Sequence, residues 1–257
     1  MMIVLSRTPS LLAGSLACLA LLGGCGTTSD HELLTQALRQ GEITAVVALP
    51  ETPLEAALND AAENAELRTG AGRLADDILN AGVRAGTSEA LDALRTELSG
   101  PFTRFLEQTL EAQLREVTSV NISEVRFQSY ADGSPQPEEL AKGVDQPFVL
   151  AMVPKFTMVD GFSTLRVDVA TEVLAQSQGL AAVVGPQRLF SQNYTSEIVV
   201  YGGSGSIAQN LVTLSANGGA SIEPAADDAL DSIMRRLSSD LRTAASSAVR
   251  NVTLTGE

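Results

Sequence analysis

The chain has 257 residues and is acidic, with 31 Asp and Glu against 17 Lys and Arg, so its formal net charge is −14. A surface this acidic repels phosphate backbones and anionic membrane surfaces, which argues against nucleic-acid binding. The chain has no Trp and only 4% aromatic residues, so rings on which bases or sugars could stack are scarce. We therefore expect no nucleic-acid partner.

The first residues have the pattern of a secretory signal. Arg7 is followed by an apolar run, "LLAGSLACLALLGG", which is too short to span a membrane comfortably. The run leads into Leu22-Gly23-Gly24-Cys25, an apolar residue, two small residues and a cysteine. This motif resembles the lipobox of bacterial lipoproteins, and the resemblance covers residues 1–25 only. It implies that a signal peptide, residues 1–24, is removed and that Cys25 is lipidated.

The resemblance has further implications for the anchor. Acyl chains on Cys25, palmitate among them, would hold the protein stably on a membrane, whereas a single chain would not. Gly26, where inner-membrane lipoproteins often carry Asp, implies sorting to the outer membrane with the protein facing the periplasm. Cys18 leaves with the signal, so no disulfide is expected in the mature chain. Residues 25–30 are then the lipidated cysteine and its tether; an ordinary signal with a chance cysteine is the alternative.

Residues 31–119 predict a mainly helical region. "HELLTQALRQG" is typical of a short helix ended by a glycine, and the β-branched run Ile43–Leu49 predicts a buried strand. Thr52 and Pro53 fit the cap and the first position of the next helix. A further helix follows Pro101. Its apolar face, which we interpret as core rather than as a cofactor site, consists of Phe102, Phe105, Leu106, Thr109, Leu110 and Leu114.

Residues 120–257 predict an α+β domain, with antiparallel strands followed by helices. The strand-like runs are 121–130, 147–159, 162–176 and 192–201. Asp160-Gly161 is the preferred pair for a two-residue hairpin turn. Pro154 inside its strand predicts a bulge or an edge position.

The chain is expected to end in a long helix that begins near Pro224, and "NVTLTGE" after it predicts a short strand or a frayed end. The apolar stripe of this helix should pack on the sheet, a partner-helix groove being the alternative; it comprises Leu230, Ile233, Met234, Leu237 and Leu241. The predicted fold class is therefore α+β: an antiparallel meander sheet with helices packed on one face, plus the N-terminal mainly helical segment.

The stretch "VVYGGSGSIAQN" (199–210) has the glycine spacing of a dinucleotide-binding turn at Gly203-x-Gly205-x-x-Ala208. That fingerprint requires a βαβ unit and an acid at the end of its second strand. Here a hairpin precedes and helices follow, and the acid at the right distance, Glu223, falls at a helix start. We expect no nucleotide, and interpret the glycines as releasing a strand into a helix capped by Ser204 or Ser206, or as a flexible contact loop.

The inventory of catalytic side chains is poor. His31 is the only histidine and lies six positions beyond Cys25, directly after the predicted tether and beside the membrane, where it is badly placed for a Ser-His-Asp or Cys-His site. Without another His or a free Cys, the usual transition-metal sites are excluded. The doublets Asp76-Asp77 and Asp227-Asp228 leave a carboxylate-dependent hydrolase open, although adjacent helical residues point apart. We expect no catalytic residue, cofactor or metal.

Three functional hypotheses follow. The first is a non-catalytic outer-membrane lipoprotein, an accessory to an envelope assembly or transport complex, whose partners are the membrane, through Cys25, and an envelope protein. The second is a carrier or sensor of an apolar ligand such as a lipid, held under the helices by strands such as "PFVLAMV". The third is a cell-wall hydrolase that uses a carboxylate pair.

Overall fold

The computed structural model describes residues 30–40, 42–54, 56–58, 92, 100–117, 119–131, 133–176, 185–200, 210, 213–214 and 220–254. The helices named below are α1 (Asp30–Gln40), α2 (described over 100–116), α3 (Pro137–Leu140) and α4 (Ile222–Leu254). The strands are β1 (Ile43–Pro50), β2 (Ile122–Tyr130), β3 (Phe148–Val159), β4 (Thr164–Ala175) and β5 (Gln187–Val199).

The five strands form one mixed sheet in the order β2-β1-β3-β4-β5. The predicted α+β class is confirmed, and β3, β4 and β5 form the predicted antiparallel meander. For the first two strands the prediction of an antiparallel sheet is wrong, since β1 is parallel to both β2 and β3. A parallel pair requires a long crossover connection. The chain between β1 and β2 provides one, and it contains α2.

An inner strand of the sheet, β1, comes from the N-terminal part of the chain and lies between β2 and β3. Every residue of Ile43–Leu49 is buried, which confirms the predicted buried strand. A strand that is covered on both faces shows a continuous apolar run rather than alternation. The sheet therefore takes its strands from both predicted segments, 31–119 and 120–257.

The larger core lies on the face of the sheet covered by α1, α2 and α4. The predicted apolar stripe of α4, from Leu230 to Leu241, is buried in it. In β2, Val125 and Phe127 pack against this core while Glu124 and Arg126 are exposed, as the alternation predicted.

A second, smaller core lies on the opposite face, so the prediction of helices on one face holds for α1, α2 and α4 only. Here α3 and the turn after it cover the central strands. The core consists of Val46, Ala48, Leu140, Ala141, Val144, Val149, Ala151, Val153 and Leu174. Because the central strands are apolar on both faces, a second cover is required to keep them from water.

The hairpin between β3 and β4 is longer than the predicted two-residue turn, since Val159 pairs with Thr164 and four residues lie between them. Asp160, Gly161 and Phe162 have φ angles of 49°, 64° and 67°. This conformation is unfavourable for Phe162, but its side chain is buried in the larger core and only 2% exposed. The turn is also held by Asn210, whose Nδ2 donates to the carbonyl oxygen of Gly161 at 2.8 Å.

Two other predictions are decided by the strand and helix bounds. Pro154 lies two residues beyond the last β1–β3 pair, Val47 and Met152, and therefore at an edge on that side, as predicted. The C-terminal helix continues to Leu254, so the strand predicted as one alternative for its end is wrong. None of the described helices combines the length and the apolar character needed to cross a membrane.

The turn after α3 depends on a glycine in the left-handed region. Gly143 has φ 80°, and a Cβ added there would meet no atom within 4 Å. Gly143→Ala should therefore destabilise the fold through the backbone alone, by about 1 kcal/mol. Urea unfolding followed by circular dichroism would measure this cost. The neighbouring exposed change Lys142→Ala serves as control and should be nearly neutral; an equal effect of the two changes would contradict the argument.

Candidate functional site

Several predicted sites lie outside the described residues. These are the lipidation site Cys25 with its signal, the glycine-rich stretch 201–209 with its proposed caps Ser204 and Ser206, and the doublet Asp76-Asp77. They remain predictions.

The other candidates can be placed. Helix α1 begins at Asp30, so His31 lies in its first turn rather than on a tether. Asp227 and Asp228 are both exposed on α4, and Asp227 accepts a hydrogen bond at 2.9 Å from Gln113 Nε2 of α2. The structure therefore places Asp227 at the junction of α2 and α4, and Asp228 on the exposed surface of α4.

The most unusual charged group of the described residues is a buried carboxylate on β4, which the sequence reading did not single out. Glu172 is 6% exposed. Its Oε1 lies 3.0 Å from Arg188 Nε and accepts a hydrogen bond at 3.2 Å from Ser191 Oγ, both on β5. Arg188 also pairs through Nη2 with Glu138 of α3. We call these four residues the acid–arginine cluster.

An irregularity in β5 places this cluster on the face of the smaller core. Val173 pairs with Phe190 but Leu174 pairs with Arg188, so Leu189 is an extra residue in the ladder. Strand residues three positions apart normally point to opposite faces. The bulge changes that phase, so that Arg188 and Ser191 both lie on the side of Glu172. Bulges commonly redirect a side chain in this way.

The electrostatics of the two acids differ. Burial raises the pKa of Glu172 above its usual range, and the neighbouring Glu138 carboxylate raises it further, while Arg188 and Ser191 act in the opposite direction. The pKa of Glu138 is lowered, first by a backbone hydrogen bond and then by Arg188. The second oxygen of Glu172, Oε2, is buried and has no hydrogen-bond partner among the described residues.

The geometry of the cluster favours a structural ion-pair bridge over a reaction centre. Arg188 bridges a carboxylate of the sheet and a carboxylate of α3, the element that covers the smaller core. A glycosidase instead requires two carboxyl groups that face each other across a space for the substrate. Among the described residues no group of three or more His, Cys, Asp or Glu side chains could hold a metal ion.

A groove of about 300 Å³ lies between α2 and α4. Its lining is largely polar and charged: Gln113, Glu116, Val117, Asp231, Met234, Arg235, Ser238 and Arg242. Arg235 pairs with Asp231, and Arg242 donates to Ser238 Oγ at 3.1 Å, so both arginines of the wall have partners within α4. Such a lining does not suit the apolar ligand of the carrier hypothesis.

A second polar contact joins α4 to the outer strand β5. The hydroxyl of Tyr194 donates to Asp240 Oδ2 at 3.0 Å, and the Arg236 guanidinium lies 5.8 Å from the centre of the tyrosine ring. Burial, followed by the contact with Asp240, raises the pKa of Tyr194. Because the ring is buried and its hydroxyl is satisfied, this contact fixes the helix on the sheet.

The fold and these contacts define an α+β protein with a mixed five-stranded sheet. The second face of this sheet is covered by α3, which Arg188 joins to β4 and β5. No protein-family model, no curated protein and no solved structure matches this chain.

The acid–arginine cluster predicts a pH dependence of stability. Since the pKa of Glu172 is raised on folding, its favourable contribution is fully present below its unfolded pKa, roughly 4.3, and is lost as the pH rises through the higher folded value. Glu172→Gln removes this titration. The free energy of unfolding of the variant should equal or slightly exceed that of the wild type at pH 7, and this advantage should disappear towards pH 4.

Denaturant unfolding at several pH values would test this prediction. The exposed change Asp228→Asn serves as control for the loss of one negative charge. A stability difference between Glu172→Gln and wild type that is constant over the acid range would contradict the assigned role of Glu172.

Proposed function

We propose that the protein is a non-catalytic lipoprotein, anchored by acyl chains on Cys25 to the outer membrane and facing the periplasm, where it serves an envelope assembly or transport complex. The observation that carries the proposal is the apolar run followed by Leu22-Gly23-Gly24-Cys25.

The position of the first helix supports an anchored protein. Only residues 26–29 separate Cys25 from α1, and α1 packs against α4 and β5. A lipid on Cys25 would therefore hold the folded domain close to the bilayer. The sole histidine is at the start of the same helix, next to the anchor, where it is poorly placed to take part in a hydrolytic site.

Two described sets of charged side chains have structural contacts, which favours a non-catalytic protein over a hydrolase. Arg188 and Glu138 fix α3 to the sheet, and Asp240 and Arg236 fix α4 to β5, so these side chains act within the fold. The apolar residues of β3 that the carrier hypothesis assigned to a ligand, such as Leu150 and Met152, are 0% exposed and lie in the larger core.

Co-purification from native membranes in mild detergent, with mass spectrometry of both proteins and lipids, tests the proposal. Solubilised membranes that lack the tagged protein provide the background. A partner recovered in stoichiometric amounts supports the accessory function. A stoichiometric lipid without a protein partner would favour the carrier hypothesis instead, and recovery of neither contradicts the proposal.

A further inference from the structure

The strand register defines two ends of the sheet. At one end, which we call the proximal end, β1 and β3 begin, β4 stops and β5 begins, with Ile43, Phe148, Ala175 and Gln187 in one row. At the other, which we call the distal end, the β3–β4 hairpin turns and β5 stops at Val199. The two ends of β5 are separated by the length of that strand, about 40 Å.

Helix α1 starts at the proximal end. The side-chain Nε2 of Gln187 donates a hydrogen bond to Asp30 Oδ1, which joins the first residue of α1 to the first residue of β5. The helix continues to Gln40, just before β1 also begins at this end. The chain therefore enters the folded domain beside the proximal end.

The distance from the anchor to this entry point is short. Asp30 follows Cys25 by five residues, and five residues span at most about 18 Å when fully extended. That reach is less than half the length of β5. If Cys25 lies at the lipid surface, the proximal end must stay close to the headgroups, and the distal end comes near them only if the whole domain lies flat.

The described surface offers little to hold the domain flat. Its one exposed large hydrophobic side chain is Val199, which is 64% exposed and lies at the distal end. The chain is strongly acidic, so its flanks are repelled by anionic lipids rather than attracted. The tether is then the main determinant of orientation.

We infer that the acylated protein sits with its proximal end, at Asp30 and Gln187, against the lipid headgroups and presents its distal end, with the β3–β4 hairpin and Val199, away from the membrane. This inference rests on the proposed lipid anchor. It adds to the proposed function that the proximal end contacts lipid and that the distal end is left available to a protein partner.

Two single-cysteine variants on the same strand test the inference. Because Cys18 is removed with the signal and Cys25 is acylated, an introduced cysteine would be the only free thiol of the mature protein. Gln187→Cys and Val199→Cys carry a donor fluorophore at the two ends of β5, both at exposed positions. The acylated proteins are reconstituted into phosphatidylethanolamine–phosphatidylglycerol vesicles that contain a headgroup-linked acceptor.

We expect energy transfer to the acceptor to be several-fold more efficient from position 187 than from position 199. Asp145→Cys, exposed in the loop before β3, provides a second proximal position that leaves the Gln187–Asp30 hydrogen bond intact. Equal transfer from the two ends of β5, or stronger transfer from Val199→Cys, in protein that floats with the vesicles would overturn the orientation alone. Background transfer from all positions, in protein that does not float, would overturn the anchor and with it this inference.

Discussion

Replacing Cys25 with Ser is expected to abolish lipid attachment to this protein. A serine hydroxyl does not replace the cysteine thiolate as the nucleophile that takes up a lipid. The lipobox resemblance also implies that the signal is cut only beside a lipidated cysteine, so the variant should keep residues 1–24. Expressed in a Gram-negative host fed labelled palmitate, the wild type should incorporate label and Cys25→Ser should fall to background.

The chain provides a matched control in its other cysteine. Cys18 lies inside the apolar run of the signal, so Cys18→Ser should leave both acylation and cleavage unchanged. Mass spectrometry of the N-terminal peptide distinguishes the outcomes, because the wild type and Cys18→Ser should begin at an acylated Cys25. An unmodified wild-type N-terminus, or one cut elsewhere, would show that Leu22-Gly23-Gly24-Cys25 is not a lipobox.

The sequence predicted β1 to β4 well because alternation and β-branched runs reflect burial directly, whereas β5 begins at Gln187, five residues before its predicted start. Glu124 and Arg126 alternate with Val125 and Phe127, and this local pattern was enough to place β2 with one face outward. It could not show that β1 is inserted between β2 and β3. Strand order depends on contacts between residues far apart in the chain, and neither the period nor the turn signals of a single strand carry that information.

The hairpin shows how a tertiary contact overrides a local signal. Asp160-Gly161 is the usual pair for a two-residue turn, yet the loop extends to Ser163. Burying Phe162 in the core outweighs the cost of its left-handed backbone. The neighbours of a residue that decide such a balance are not visible in the four residues of the turn.

The acid–arginine cluster left only a weak signal in the sequence. Glu172 is a single charge within "VATEVLA", an otherwise nearly apolar run, which suggests a charge held in a buried region. Its partners could not be identified, since Glu138 is 34 residues earlier and Arg188 acquires its direction from the bulge at Leu189. The obvious doublet Asp227-Asp228, by contrast, proved to be exposed helix surface.

The largest effect on stability is expected at the contact between α2 and the sheet. Phe156 of β3 is 2% exposed, and its ring meets Phe102 of α2 edge to face, with centroids 6.0 Å apart. The helical spacing predicted the apolar face of α2, while the partner of that face became known only from the structure. Phe156→Ala removes a buried ring and leaves a cavity between two layers, which typically costs about 3–5 kcal/mol.

Denaturant unfolding of the detergent-solubilised, acylated protein would measure this cost. Natural domains are stable by about 5–15 kcal/mol in total, so the variant should lose a large share of its stability. Phe105→Ala is the matched control: this ring stacks on Phe102 at 6.2 Å from the same helix but is only partly buried, so its loss should cost less than half as much. Equal costs for the two changes would mean that α2 does not bury Phe156 against the sheet, and the larger core would have to be assembled differently.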